Sequence, residues 1–390
     1  MKKDETYCFS DLGVTATLRG FFPEDKVAEM HAMLHIEPRG QQFPEQLARL
    51  YEGLDALKAL PIAKNMKPVF MRYFLTDATN QAEYIRKEDA CAVSVIQQPP
   101  LDGSKIALWI YFVGSSLIYN NVCASEEAAT IVGKTTIFEH NGYKHLWNMS
   151  MRVPEGDSAF QTEKLLTAYE ENLAEYGANI AENCQRTWFF VRDVDTNYAG
   201  LVKARRENFT AQGLTSDTHY IASTGIGGSP AETKALVQLD SYAVVGLEKE
   251  QVKYLYAPTH LNPTYEYGVT FERGTCINFG DRTHVYISGT ASINNKGEVV
   301  HVGDISKQAE RMCENVKTLL TEAEVEEENV MQVIVYLRDI ADRKETEKIV
   351  SRHYPCVPIV YTLAPVCRPK WLIEMECIAV KEMKTTFNDF

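Results

Sequence analysis

The feature that most constrains this chain is an apolar, strand-like segment that occurs three times. The runs SKIALWIYFV, ALVQLDSYAV and WLIEMECIAV end at Val113, Val244 and Val380. These ends lie 131 and 136 residues apart (113 to 244 to 380), and each run follows a loop that contains Gly or Pro. Recurrence at a fixed period indicates an internally repeated fold, so we expect three copies of one unit.

A second element recurs upstream of each copy and in the same order. It is a short apolar strand that ends at Asp77, Asp193 or Asp339, a residue suited to cap the helix that follows. An amphipathic helix pattern precedes each of these strands. Each unit is therefore predicted as strands, helix, strand, helix, strand. We place the three units at residues 1–120, 121–260 and 261–390.

Composition excludes several classes of protein. The chain is 45% hydrophobic and 24% charged, which is typical of a globular protein. A formal net charge of -13 opposes binding to a phosphate backbone. No apolar run approaches the ~18 residues of a membrane span, and the start of the chain lacks the apolar stretch of a signal peptide. The nine cysteines form no Cys-x-x-Cys pair. We expect a cytoplasmic protein with reduced thiols that binds neither nucleic acid nor membranes.

The last third of the chain carries a resemblance to a known family. The segments HVYISGTASI from His284, GEVVHVGD from Gly297, VYLRDIAD from Val335 and LIEMECIA from Leu372 resemble the Rid superfamily, also called YjgF or endoribonuclease L-PSP. The resemblance implies an α+β, chorismate-mutase-like unit with a mixed sheet and its helices on one face. Three such units form a barrel-like trimer in that superfamily, with ligand sites between neighbours. This chain would form a pseudo-trimer by itself, as a monomer or a low-order homo-oligomer.

A narrower resemblance covers the last two units. It is similar to the chorismatases at these positions: Trp188, Tyr198, Arg205, Phe209, ASTGIG at 222–227, SGTAS at 288–292 and CRP at 367–369. Chorismatases are Rid-fold enzymes that hydrolyse chorismate to a dihydroxycyclohexadiene carboxylate, or a hydroxybenzoate, and pyruvate. The resemblance implies a chorismatase-like hydrolase that acts on a small unsaturated carboxylic acid.

Glu376 is the first candidate for a catalytic acid. It lies in an otherwise apolar strand, and desolvation there would raise its carboxyl pKa toward neutral pH. It also aligns with the acidic position of the final Rid strand, where the other units carry Trp109 and Asp240. Glu374 lies two residues away and on the same face of the strand. It is the reserve candidate, and exposure of Glu376 on an edge strand is the alternative interpretation.

Two arginines and a tyrosine are candidates for binding the substrate as part of the catalytic set. Arg368, in the Cys-Arg-Pro segment, is a clamp for a carboxylate or else an exposed residue of a turn. Tyr198 and Arg205 are seven residues apart and would share one helix face. The resemblance directs that face into the cleft against the third unit. Arg205 would hold a carboxylate, and Tyr198 would orient the ligand.

Four further residues are predicted to contact the substrate. Gly289 permits a close approach of the backbone. The others are Thr290, Thr224 and Tyr361. Simple Rid deaminases carry an Arg just before a Ser or Thr where this chain has Tyr361-Thr362, which argues against simple imine deamination. We predict no metal and no cofactor, because His31 and His35, at i and i+4 on one presumed helix face, lack a third ligand.

Three functions remain open from the sequence. The first is hydrolysis in which Glu376 protonates an enolpyruvyl double bond and pyruvate leaves. The second is hydrolysis of an enamine or imine to a keto acid and ammonia. The third is non-catalytic binding of a small carboxylate. Cys367 and Cys377 flank the proposed site, and we interpret them as buried thiols and not as nucleophiles, because no His has a recognisable partner position.

Overall fold

The computed structural model describes residues 2–86, 91–114, 118–123 and 132–390. The first unit contains six strands and two α-helices. In chain order they are β1 (Lys2–Phe9), β2 (Val14–Phe21), β3 (Glu29–Ile36), α1 (Phe43–Ala59), β4 (Met66–Leu75), α2 (Ala78–Gln81), β5 (Ala92–Gln97) and β6 (Ile106–Gly114).

The second and third units repeat this arrangement. The second contains β7 (Ile118–Cys123), β8 (Val132–His140), β9 (Tyr143–Arg152), α3 (Ser158–Ala174), α4 (Ile180–Asn183), β10 (Cys184–Val191), α5 (Val194–Ala211), β11 (Ala222–Gly227) and β12 (Val237–Val245). The third contains β13 (Val252–Leu255), β14 (Gly274–Asn278), β15 (Arg282–Ala291), α6 (Ile305–Glu322), β16 (Val330–Leu337), α7 (Arg343–His353), β17 (Ile359–Leu363) and β18 (Ile373–Glu382).

Each unit forms one six-stranded sheet, and the three sheets share one strand order. The orders are β1-β2-β3-β6-β4-β5, β7-β8-β9-β12-β10-β11 and β13-β14-β15-β18-β16-β17. In each, the last strand of the unit lies in the middle, and the strand after the second helix forms a parallel edge. The predicted α+β fold, with a mixed sheet repeated in three units, is thereby confirmed. The boundaries at residues 120 and 260 stay a prediction; by sheet membership, β7 from Ile118 belongs with the second unit and β13 up to Leu255 with the third.

The aspartates at the strand ends cap helices in two of the three units. Asp77 accepts a hydrogen bond from the Asn80 N–H, and Asp339 accepts one from the Ala341 N–H. These bonds satisfy backbone donors that a helix start leaves free. Asp193 differs, because it adopts a left-handed backbone (φ 47°) and makes no side-chain cap at the start of α5.

The three units meet head to tail and close a ring. We call the contacts between units 1 and 2, 2 and 3, and 3 and 1 the first, second and third seam. At each seam, strands near the parallel edge of one unit contact the antiparallel strands of the next: β5 with β9, β11 with β15, and β16 with β3. A heterologous contact of this kind produces a closed ring when the rotation between successive units brings the third unit back to the first. The aromatic core spans units, with Trp147 5.5 Å from Tyr111 and Tyr242 5.3 Å from Tyr286 between ring centroids.

The structure corrects the placement of the histidine pair. His31 and His35 lie on β3 and not on a helix. His31 accepts a hydrogen bond from Trp109 Nε1 at 3.1 Å, and His35 Nδ1 lies 2.9 Å from an Asp102 oxygen. Within the described ranges, no group of three or more His, Cys, Asp or Glu side chains is placed to hold a metal ion. No helix among them is both long and apolar enough to span a membrane.

Candidate active site

A cavity lies at the second seam. The second unit contributes residues of α5 and β11, and the third contributes β15, the loop before β14 and the start and preceding loop of β18. The cavity is lined by Tyr198, Arg205, Ser223, Gly225, Tyr267, Val269, Phe271, Arg273, Gly289, Ala291, Ile293, Cys367, Arg368, Trp371 and Glu374.

Glu374 is the carboxyl group of this cavity. It lies near the start of β18, opposite Ala291 on β15 and Tyr336 on β16. Its carboxyl oxygen Oε1 occupies space that Gly289 leaves open, since a Cβ at Gly289 would lie 2.1 Å from it. Burial raises the pKa of Glu374 to about 8, and the charge of Glu376 contributes to this rise. Glu374 is therefore protonated and able to donate a proton near neutral pH.

Glu376 shares a face of β18 with Glu374 but is fully engaged by the second unit. Its Oε1 accepts a hydrogen bond from Trp188 Nε1 at 2.6 Å. Its Oε2 accepts from Arg186 Nη2 at 2.9 Å and from the Thr224 hydroxyl. Glu376 is buried and does not line the cavity. These contacts make it a buried anchor between units 2 and 3.

The same strand position joins units at the first seam. Asp240 on β12 corresponds to Glu376 on β18 by strand register, and it accepts hydrogen bonds from Arg72 Nη2 at 2.9 Å and from the Ser150 N–H at 2.7 Å. Trp109 holds the position in the first unit. The positions that correspond to Glu374 are Gln238 and Ala107. Of these three equivalent positions, only the one in the third unit carries a carboxyl group.

Arg205 is the most deeply buried cation of the cavity. Its Nη1 donates to the Ser223 hydroxyl at 3.3 Å. Its Nε and Nη2 are buried and make no hydrogen bond of good geometry among the residues that the structure describes. Burial lowers the pKa of Arg205 below its usual value, and the nearby Tyr198 hydroxyl opposes part of this effect. A buried guanidinium without a carboxylate partner is costly, and a ligand carboxylate would accept from Nε and Nη2 at once.

Two further arginines extend the positive lining. Arg273 donates from Nη2 to the Asn262 carbonyl at 2.9 Å and lies 5.4 Å from the Tyr267 ring centroid. Arg368 lies 4.8 Å from the same ring centroid and 5.3 Å from that of Trp371. The lining thus combines three guanidinium groups with one carboxyl group and several aromatic rings. This charge balance favours an anionic ligand with apolar surface.

The structure brings together many, but not all, of the residues predicted from the sequence. Tyr198, Arg205, Arg368 and Gly289 line the cavity, and burial raises the pKa of Tyr198 well above its usual value. Cys367 lines it too, and burial raises the pKa of this thiol to about 12, so it is not a thiolate near neutral pH.

Three of the residues predicted to contact the substrate do not line this cavity. Thr224 binds Glu376 and accepts a hydrogen bond from the Gly289 N–H at 2.9 Å, so it supports the cavity wall from behind. The hydroxyl of Thr290 donates to the Ser288 carbonyl and is buried. Tyr361 lies in a different cleft, at the third seam, with His35 and Arg343.

Sequence reasoning missed Arg273, Tyr267, Phe271 and Trp371. The first three belong to the irregular segment between β13 and β14, which shows no motif and no periodicity. Its one signal is the density of aromatic and charged residues in TYEYGVTFERG. Binding and catalytic residues are found disproportionately on loops that a rigid scaffold positions.

Comparison with known proteins places the third unit. A sequence profile described as Endoribonuclease L-PSP matches residues 277–381. A RutC family protein of Pyrococcus abyssi is 37% identical over 101 residues, which are 25% of this chain and 79% of that protein. A protein named 3-aminoacrylate deaminase RutC, from Acinetobacter baylyi, is 28% identical over 102 residues, which are 24% of this chain and 77% of that protein.

A solved structure extends the likeness to most of the chain. The crystal structure of a chorismatase is 17% identical and superposes with a TM-score of 0.63. The superposition covers 80% of this chain and 93% of the chorismatase chain, so the two share a fold. With the RutC relative at 37% identity, these findings support one conclusion. The chain belongs to the Rid superfamily, the YjgF or endoribonuclease L-PSP family.

Proposed function

We propose that the protein is a chorismatase-like hydrolase that cleaves an enolpyruvyl ether of a small cyclic unsaturated acid, chorismate or a similar compound, and releases pyruvate. One observation carries the proposal. Glu374, whose pKa is raised to about 8, lines the same cavity as Arg205, whose Nε and Nη2 make no hydrogen bond of good geometry among the described residues. A protonated acid next to an unpaired carboxylate-binding group suits an electron-rich alkene that carries a carboxylate.

The reaction starts with transfer of a proton from Glu374 to the methylene carbon of the enolpyruvyl group. The former double-bond electrons form the new C–H bond, and the adjacent carbon becomes oxocarbenium-like. Water adds to that carbon and loses a proton, which returns to the Glu374 carboxylate. The resulting hemiketal collapses to pyruvate and the ring alcohol. In total, one water is consumed and one C–O bond is broken.

This proposal assigns the acid to Glu374 in place of Glu376. Both oxygens of Glu376 already accept hydrogen bonds from the second unit, and Glu376 lies in a salt bridge with Arg186. The role left to Glu376 is electrostatic, because its charge raises the pKa of Glu374. Within the cavity, Arg205 binds one carboxylate, and Arg273 and Arg368 stabilise the rest of the negative charge.

The test is release of pyruvate from chorismate by the purified protein. Glu374→Gln removes the proton donor and keeps the side-chain shape, so turnover should fall by about 10² to 10⁴, the range of general acid catalysis. Glu382→Gln is the matched control, because Glu382 lies exposed at the end of the same strand. Equal turnover in Glu374→Gln and wild type would rule out the acid role. Ligand-induced thermal stabilisation with no turnover in any variant would instead indicate a binding protein.

A second candidate is deamination of an enamine acid. It is favoured by the similarity of the third unit to a protein named 3-aminoacrylate deaminase RutC. Glu374 would protonate the carbon–carbon double bond of the enamine, and water would then replace ammonia at the resulting iminium carbon. Tyr361 stands where simple Rid deaminases carry their arginine, and it lies at another seam. Ammonia release from 2-aminoacrylate that exceeds pyruvate release from chorismate would favour this function.

A further inference from the structure

The wall of the cavity contains a close contact between a helix and a strand. Tyr198 on α5 lies directly over Gly225 on β11. A Cβ on Gly225 would lie 2.9 Å from Tyr198 Cε2 and 3.5 Å from its hydroxyl oxygen. Gly225 does not adopt a positive φ, so its backbone conformation would accept any residue. Glycine is needed here because a side chain would collide with Tyr198, and not because of the backbone conformation.

The internal repeat shows what other residues occupy this position. In each unit, the residue at this position of the parallel edge strand pairs with a residue of the neighbouring strand. The edge residues and their partners are Gly225 with Phe189, Val95 with Tyr73, and Tyr361 with Val335. The three positions therefore correspond, and the other two units carry a β-branched or aromatic residue. A glycine inside a strand usually marks a close approach of another group, and here that group is Tyr198.

We infer that Gly225 is a positioning residue that acts through Tyr198 and makes the cavity wide enough for a ring-sized carboxylate. Both residues line the cavity, so a ring displaced from Gly225 moves into the space of the ligand. The third unit contributes Gly289, Ala291 and Ile293 to the lining of the same cavity. This inference rests on the proposed function for its substrate and adds the residue that sets the ligand size.

The anion-binding group makes its hydrogen bond away from Gly225. Arg205 contacts Ser223, on the same side of β11 but two residues earlier, so a methyl group at Gly225 leaves that bond in place, and the Tyr198 hydroxyl lies near both Arg205 and Gly225. A small acid such as acetate needs only this guanidinium. A ring acid such as benzoate needs the guanidinium and the space beside Tyr198. Gly225 should therefore discriminate between the two acids.

The experiment measures binding of benzoate and of acetate to the full chain by isothermal titration or thermal shift. Gly225→Ala should weaken benzoate binding by about tenfold, the usual scale for one methyl group of overpacking, and leave acetate binding unchanged. Gly114→Ala is the matched control. It is also a glycine in a strand, but its Cβ would meet only ordinary contacts at 3.6–3.8 Å.

A double-mutant cycle tests the route through Tyr198. Tyr198→Ala removes the ring, so adding Gly225→Ala to it should cause no further loss of benzoate binding. Equal loss of both acids in Gly225→Ala, a full further loss in the double variant, or no binding of benzoate by the wild type would overturn the inference. These readouts need no turnover. Failure of pyruvate release with a preserved benzoate-to-acetate difference would overturn only the proposed reaction.

Discussion

Glu374 and Glu376 lie two residues apart on one face of β18, but only Glu374 lines the cavity. Glu376 is held by Trp188 Nε1 at 2.6 Å and Arg186 Nη2 at 2.9 Å, both from the neighbouring unit. The two glutamates therefore have different roles, although their side chains are identical. One carboxyl group is kept protonated by burial and by its neighbour's charge, and the other is bound by donors across the seam.

Glu376→Gln should shift the pH dependence of turnover. The acid must be protonated, so the rate falls as pH rises through the pKa of Glu374, which is about 8. Removing the charge of Glu376 lowers this pKa, and the freed Arg186 lowers it further. The alkaline limb of the pH–rate profile should therefore move to lower pH. An unchanged limb would contradict the electrostatic coupling between the two carboxyl groups.

The raised pKa of Glu374 should also appear in the stability of the protein. The folded state binds the Glu374 proton up to about pH 8, whereas a glutamate in the unfolded chain loses it near its usual value of about 4.3. Between these pH values the folded state binds more protons, so this residue lowers the free energy of unfolding as pH rises. The full loss is of the order of 5 kcal/mol, since each pKa unit is about 1.4 kcal/mol.

Glu374→Gln removes this titration. Denaturant unfolding at pH 5 and at pH 8.5 should show that the variant gains stability relative to wild type at the higher pH. The comparison cancels the other ionisable groups, which are the same in both proteins. An equal difference between variant and wild type at the two pH values would contradict the raised pKa.

Replacing either of two buried arginines by Met should have different effects on the stability of the protein. Arg186→Met leaves Glu376 as a buried charge without its ion pair, which costs about 3 to 5 kcal/mol. Arg205→Met removes a guanidinium whose Nε and Nη2 make no hydrogen bond of good geometry among the described residues, so stability should hold or rise while carboxylate binding is lost. Melting temperature and benzoate binding measured on both variants check this. Equal destabilisation would show that Arg205 serves the fold.

The fold could be predicted from the sequence because apolar runs of strand length recur along the chain. Tyr198, Arg205 and Arg368 were predicted as one set, and they do line one cavity. The choice between Glu374 and Glu376 could not be predicted, since a period of two residues places both on one face of the strand. What separates them is contact with Trp188 and Arg186, which are almost 190 residues away in the chain.

Tyr361 shows a second limit of sequence reasoning. It belongs to the unit with the clearest motifs, and its position in the sheet corresponds to that of Gly225. In a closed ring, however, each parallel edge strand faces the next unit. Tyr361 therefore faces the first unit, and the second unit supplies Gly225 to the cavity beside Glu374. To assign a residue to a seam, one must know which neighbouring unit its edge strand faces in the ring. No local sequence pattern gives this information.

Hydrolysis of chorismate in D₂O tests the central claim most directly. The pyruvate is trapped at once as lactate by lactate dehydrogenase, and its mass is measured. If an exchangeable proton on Glu374 is transferred to the methylene carbon, the methyl group of the product carries one deuterium. Pyruvate without deuterium would show that the third methyl hydrogen comes from the substrate itself, and protonation by Glu374 would be contradicted.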